Sequence, residues 1–254
     1  MAEPVSLNTP RPIRRTLLTQ SWLDLAFLHW AVPPAAVEPL LPAGARPDVI
    51  DGVTYVGLIA FRMHRIGWGV LPGLPYLGTF PETNVRLYSV DSAGRRGVVF
   101  RSLEAARLLP VLTARLGFRL PYVWAKMSVL RRGEVIDYAS TRRWPGPRGA
   151  RSRISIRIGP PLAHPGELEH FLTARWGLHN SWLGRPMYLP NEHPTWRLHE
   201  AELLHCDQDL IEAAGLPDLA ALAGPPQSVL YSPGVPVRFG PPLPIRSSRP
   251  TTRR

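Results

Sequence analysis

Two short stretches of the chain carry side chains whose types and spacing could do chemistry. In the first, Phe80–Arg86 (FPETNVR), residues Glu82, Asn84 and Arg86 alternate, so in an extended strand they share one face while Thr83, Val85 and Leu87 share the other. Turned to solvent they are an ordinary polar face. Turned inward they line one wall of a cavity, where Arg86 could bind a substrate carboxylate and burial could tune Glu82 as an acid or base. In the second stretch, Leu120–Met127 (LPYVWAKM), Tyr122, Trp124 and Lys126 share a face opposite Val123, Ala125 and Met127. Of the 30 basic residues all but Lys126 are arginine. A guanidinium cannot serve as an amine nucleophile, whereas a desolvated lysine can, its pKa lowered by burial. An outward Lys126 is only a solvated charge.

Other constellations carry less. His193, His199 and His205 recur every six residues, a spacing that puts them roughly 20 Å apart on a strand and on different sides of a helix, so no metal site is expected. There is no GxSxG; Ser232 in Tyr231-Ser232-Pro233-Gly234 reads as a turn residue, and Cys206 and His205 point to opposite faces of a strand. The stretch 67–78 (GWGVLPGLPYLG) lacks a dinucleotide fingerprint and reads either as a lid with apolar contacts or as a long packed loop. No pattern calls for a cofactor.

The elements that must position these residues are mostly short strands. With 30 prolines and 21 glycines, one residue in five punctuates the chain. Ile50–Met63 follows an Asp-Gly turn with a β-rich run; Asn84–Val90 and Gly97–Phe100 form a hairpin, as do Tyr122–Leu130 and Glu134–Ser140. Ser152–Ile158 alternates isoleucine with arginine and serine, and Trp196–His205 and Val235–Phe239 read as further strands. Short helices are expected over Pro33–Leu41, Pro110–Leu116, Pro165–Trp176 and Gln208–Ala214. The fold class is mostly β with short helices, in a closed or nearly closed antiparallel sheet.

Length and charge set the outer bounds. The 254 residues, 44% of them apolar, suit one globular domain over 16–245. More than half of the net charge of +11 sits in residues 1–15 and 246–254, two Arg- and Pro-rich segments expected to be disordered basic tails. The charge therefore describes tails rather than a nucleic-acid face, and nucleic acid is not the expected partner. No apolar run approaches the 18 or so residues of a membrane span, the N-terminus lacks the apolar core of a signal peptide, and one cysteine excludes an internal disulfide. A cytoplasmic location is expected.

Several stretches together resemble the YqjF-like family of bacterial proteins: Leu18–Trp22, Phe27–Trp30, Leu40–Pro42, Phe80–Arg86, Ser102–Ala105, Leu120–Tyr122, Ala125–Met127, Glu169–Arg175 and Tyr231–Gly234. That family is similar in turn to the acetoacetate decarboxylase-like superfamily. The resemblance implies an antiparallel β-barrel around a central cavity, with Glu82 at the place of a cavity glutamate. It also implies a Schiff-base lysine at the first position of a Pro-Lys-Lys motif, but after Pro121 this chain has Tyr122 and Val123. Lys126 lies four residues beyond Tyr122, roughly 13 Å along a strand, so it does not simply replace that amine.

The expectation is a small-molecule enzyme acting on a carboxylate or oxo acid by lyase-type chemistry, such as dehydration or retro-aldol cleavage. Glu82, Tyr122 and Lys126 are the candidate catalytic residues and Asn84, Arg86 and Trp124 the candidate binding residues. Two alternatives stay open. One is a non-catalytic small-ligand-binding protein of the same fold. The other is an interaction protein using its arginine tails or the Arg142–Arg157 stretch on an acidic partner. A homo-oligomer is compatible with either.

Overall fold

The computed structural model describes residues 1–69, 71–216 and 224–245. The strands are β1 (Leu18–Val32), β2 (Ala45–Pro47), β3 (Thr54–Trp68), β4 (Phe80–Asp91), β5 (Arg96–Ala105), β6 (Tyr122–Arg132) and β7 (Val135–Trp144), followed by β8 (Arg151–Pro161), β9 (Gly177–Trp182), β10 (Arg185–Glu192), β11 (His199–Gln208), β12 (Ser228–Phe239) and β13 (Leu243–Pro244). Four short helices among the described residues interrupt them: α1 (Pro34–Val37), α2 (Leu108–Phe118), α3 (Glu167–Thr173) and α4 (Leu210–Ala213). Among the described residues no helix is long and apolar enough to cross a membrane.

All 13 described strands belong to one sheet, ordered β13-β10-β9-β5-β6-β7-β8-β11-β12-β1-β3-β4-β2, and two extra pairings fold it back on itself. The β5–β4 pairing closes the run from β5 through β6, β7, β8, β11, β12, β1 and β3 to β4 into a ring. The β10–β12 pairing closes a second ring that shares β12, β1, β3, β4 and β5 with the first. Two cores follow. Leu28, Leu58, Leu87, Ile136 and Ile156 fill one; Phe27, Ile59, Tyr88, Leu178 and Val237 fill the other, joined by Phe171 and Leu172 of α3.

Consecutive residues such as Phe27 and Leu28, or Leu58 and Ile59, enter opposite cores, so the shared strands are apolar on both faces. That is why β1, the longest strand with β3 at 15 residues, shows no polar–apolar alternation. The expected hairpins are present as β4–β5 and β6–β7. The sheet is not wholly antiparallel, however. β5 and β6 run parallel (Leu103 opposite Tyr122, Ala105 opposite Trp124), because α2 carries the chain back to the same end of the sheet. Tyr231–Gly234, expected as a turn, lies within β12, where Ser232 pairs with Leu25 in β1 and is fully buried.

Residues 1–15, expected as a disordered tail, instead lie against the sheet. The Glu3 carboxylate accepts hydrogen bonds from Arg11 (2.6 and 2.8 Å) and from the Arg96 backbone N–H (3.0 Å). Trp176 Nε1 donates to the Ser6 carbonyl at 2.9 Å, and the Ile13 N–H donates to Glu192 Oε2 at 2.8 Å. A basic composition was a poor guide because Arg11 finds its counter-charge within the same segment. The expected tail at 246–254 lies outside the described residues.

Candidate functional site

The face of β4 that enters the second core carries Glu82, Asn84, Arg86 and Tyr88, so the polar half of the Phe80–Arg86 alternation points inward. Glu82 is 3% exposed and Asn84 4%, while Arg86 is partly buried. Strand register explains how they meet β6. Glu82 pairs with Ala105 and Ala105 with Trp124; Asn84 pairs with Leu103 and Leu103 with Tyr122. Cross-strand partners project from the same face. Only the methyl group of Ala105 thus stands between Glu82 and Trp124 in the register, and the Tyr122 hydroxyl meets Glu82 diagonally across it. Tyr122 Oη donates to Glu82 Oε2 at 3.0 Å. The start of β6 is held in turn by α2, whose Arg115 Nη1 donates to the Tyr122 carbonyl at 2.7 Å.

This setting controls protonation. Burial pushes the Glu82 carboxyl up to about 8 from an ordinary 4.5, and hydrogen bonds from Tyr122 and Asn84 offset only part of the rise. Glu82 therefore keeps its proton at neutral pH. Burial and the neighbouring Glu82 also hold the Tyr122 phenol well above its ordinary range, so it stays a donor. Asn84 Oδ1, buried beside this pair, has no protein partner, and neither has Trp22 Nε1, whose ring packs edge-on to Phe61. Phe61 is the β3 neighbour of Glu82. An acid, a phenolic donor, an unused amide acceptor and an unused indole donor thus occur on one largely apolar face. That combination suits binding and protonation of an oxygen-rich small molecule.

Arg86 is fixed farther along the same face. Its Nε donates to Tyr88 Oη (3.0 Å) and its Nη2 to the Leu172 carbonyl (3.0 Å), with the guanidinium over the Phe27 and Tyr88 rings. His29 Nε2 lies 2.6 Å from the same Tyr88 hydroxyl, and burial, reinforced by Arg86 and Arg175, keeps His29 neutral. Trp124 is partly buried beside Ala105. Lys126 shares the parity of Tyr122 and Trp124 but is exposed, past an irregularity in the β6–β7 register at Trp124/Ala125. The structure therefore brings Glu82, Asn84 and Tyr122 together, puts Trp124 next to them and Arg86 on the same wall, and leaves Lys126 outside in solvent.

Two polar clusters escaped the sequence reading. Ser89 Oγ lies 2.7 Å from His179 Nδ1, and His179 Nε2 lies 3.6 Å from Asp91 Oδ2, an order of residue types known from serine hydrolases. Ser89 is wholly buried, however. Asp91, despite burial that works the other way, is held down to about 2 by hydrogen bonds from His179 and Arg95. Buried in this way, the trio stitches β4 to β9. The second cluster is Arg142 with Glu104, an almost fully buried pair (Nη2 to Oε1, 2.5 Å) on the opposite face from Glu82. Neither cluster had a local signal, since its members come from strands distant in sequence. Among the described residues no three His, Cys, Asp or Glu side chains converge as a metal ion would need. His193 packs against Trp176 and Trp196, His199 lies near the Gly159 carbonyl, and His205 is exposed. Of the 67–78 stretch, Gly67 and Trp68 belong to β3, whereas Leu71, Leu74 and Tyr76 are exposed and the guanidinium of Arg107, just before α2, lies 4.2 Å from the Tyr76 ring centre.

Known proteins of similar sequence and fold agree with this architecture. The chain is 31% identical over 186 residues to the uncharacterized protein YqjF of Bacillus subtilis (strain 168), an alignment covering 73% of this chain and 76% of YqjF. Its fold is similar to that of an acetoacetate decarboxylase-like enzyme from Sphingomonas wittichii RW1, with a TM-score of 0.58, 15% identity, and 94% and 97% of the two chains covered. It is also similar to the enduracididine biosynthesis enzyme MppR, solved with the condensation product of pyruvate and imidazole 4-carboxaldehyde (TM-score 0.58, 13% identity, 96% and 93% covered). At such identities these structures show the acetoacetate decarboxylase-like fold. Residues 19–236 match the DUF2071 family, described as an uncharacterized conserved protein (COG2071), and the chain belongs to that family.

Proposed function

We propose that the protein binds a small oxo acid or related carboxylate against the Glu82–Tyr122 face and acts on it by acid–base catalysis. The observation that carries this reading is the Tyr122–Glu82 hydrogen bond in a buried setting that keeps Glu82 protonated at neutral pH. A neutral carboxyl can give its proton to a carbonyl or leaving hydroxyl oxygen. Tyr122 and Asn84 then steady the carboxylate that remains. Arg86, fixed by Tyr88 and Leu172, supplies positive charge on the same wall for the substrate carboxylate. MppR, a structural neighbour solved with a pyruvate-derived product, supports the substrate class. Enolisation, dehydration and retro-aldol cleavage fit this set if the carboxylate left on Glu82, once it has protonated the oxygen, takes the proton released from carbon or hydroxyl and so returns to its starting state. Imine formation does not, because the chain's single lysine is exposed.

The exposed Lys126 and the Tyr122-Val123 pair also favour a second reading, a binding protein that keeps the ligand face without turnover. One experiment separates the two. Pyruvate and 2-oxobutyrate are titrated calorimetrically, and proton–deuterium exchange at their C3 is followed by NMR in D2O. Saturable binding with exchange that is lost in Glu82→Gln supports catalysis, and binding without exchange selects the second reading. Absence of binding, or binding indifferent to both Glu82→Gln and Tyr122→Phe, overturns both.

A further inference from the structure

An open groove of about 640 Å³ lies between α2 and the adjoining ends of β6 and β7. That is the size of a site for a small organic molecule. Leu108 and Leu112 of α2 form its apolar side, and Trp124, Trp144, Arg142, Arg143 and Arg148 form the rest. Arginine and tryptophan are paired here. The Arg143 guanidinium carbon lies 4.8 Å from the Trp124 ring centre, and that of Arg115 lies 5.4 Å from the Trp144 ring centre. Stacking on an indole holds a guanidinium flat and leaves its N–H edge free to meet an anion.

The charges in the groove are not equivalent. Arg142, 4% exposed, is neutralised by the wholly buried Glu104 through Nη2–Oε1 (2.5 Å) and Nε–Oε2 (3.3 Å) contacts. Arg143 and Arg148 are exposed, and no carboxylate lines the groove among the described residues. Gathering cations without counter-charge is unfavourable, and an anion relieves that cost. Trp144 is 41% exposed and Leu108 40%, so flat and apolar surface stands open beside the cations.

We infer that this groove binds an organic anion carrying a flat ring, with the anionic group on Arg143 and Arg148 and the ring against Trp124 and Trp144. A bare inorganic anion would leave the exposed surface of Trp144 and Leu108 uncovered. A neutral ring would leave the arginines unpaired. The groove shares Trp124 with the wall beside Glu82, but the anion-binding Arg143 and Arg148 and the exposed Trp144 make no contact with Glu82, so the inference does not rest on the acid–base reading.

The test uses the full chain and four probes: adenosine monophosphate and 1-naphthoate as ring-bearing anions, with adenosine and inorganic phosphate as their separate parts. Binding is followed by tryptophan fluorescence and calorimetry. At least one ring-bearing anion is expected to bind saturably, and adenosine and phosphate to bind at least about tenfold more weakly. The Arg143→Ser/Arg148→Ser double variant is expected to weaken the ring-bearing anion by about tenfold or more, and Trp144→Ala to weaken it as well. Glu82→Gln is expected to leave it unchanged, which separates failure here from failure of the acid–base reading. All three substituted groove residues are exposed, so circular dichroism should report an intact fold. A preference for the phosphate over the carboxylate probe, or the reverse, identifies the anionic group. Three results would overturn the inference: neither ring-bearing anion binds, phosphate alone binds equally well, or the arginine double variant binds undiminished.

Discussion

Replacing Glu82 by glutamine tests the proton that the candidate site depends on. The amide side chain would keep the size and polarity of a protonated glutamic acid but could not ionise. In the folded protein the Glu82 carboxyl titrates near 8, against 4.5 for an ordinary glutamate. Between those values the folded state holds a proton that the unfolded state has released, so stability falls as pH rises through that window. At about 1.4 kcal/mol per pH unit, the gap amounts to about 5 kcal/mol, with no cost below pH 4.5 and the full cost reached above pH 8.

Urea unfolding of both proteins at pH 5, 6, 7 and 8 should therefore show Glu82→Gln close to the parent at pH 5 and more stable by several kcal/mol at pH 8. The buried histidines His29, His179 and His193, all pushed below the ordinary 6.5 by burial, take up protons only on unfolding; that contribution is common to both proteins and cancels in the difference. Tyr122→Phe removes a hydrogen bond that favours the carboxylate, so it should move the midpoint of the difference curve upward. An infrared band of a protonated carboxyl at pH 7, lost in Glu82→Gln, gives an independent reading. A difference that stays flat from pH 5 to 8 would refute the reasoning, because an ordinary carboxylate would then occupy the site.

Three further outcomes follow from the same structure. Arg142→Met should destabilise the protein by about 3–5 kcal/mol by leaving Glu104 buried without its partner, and adding Glu104→Gln should recover much of the loss, as chemical denaturation can measure. His193, pushed down to about 4 by burial among tryptophans, takes up a proton on unfolding at mildly acidic pH. Stability should fall by up to about 3 kcal/mol as pH drops from 6.5 to 4, and His193→Gln should flatten that part of the profile. Lys126→Ala should leave oxo-acid binding and any exchange activity unchanged, and borohydride with oxo acids should trap no adduct at Lys126 beyond that of a surface amine; selective trapping would put amine chemistry back in the site.

The sequence determined what period-two alternation can determine. In Phe80–Arg86 it placed Glu82, Asn84 and Arg86 on one face, and in Leu120–Met127 it placed Tyr122 and Trp124 on one face, because successive residues of any strand point to opposite sides. Turn residues likewise fixed the β4–β5 and β6–β7 hairpins. Strand β1 was illegible as a strand because it is buried on both sides and its pattern has no polar half.

Only the tertiary structure decided which face was inside and what met there. The pairing of β5 with both β4 and β6, made possible by the α2 crossover, sets Ala105 between Glu82 and Trp124 and lets Tyr122 reach the carboxylate. Lys126, identical in parity to Tyr122, ends in solvent. Alternation assigns a side chain to a face. Burial, and with it the proton on Glu82, depends on what other strands bring to that face.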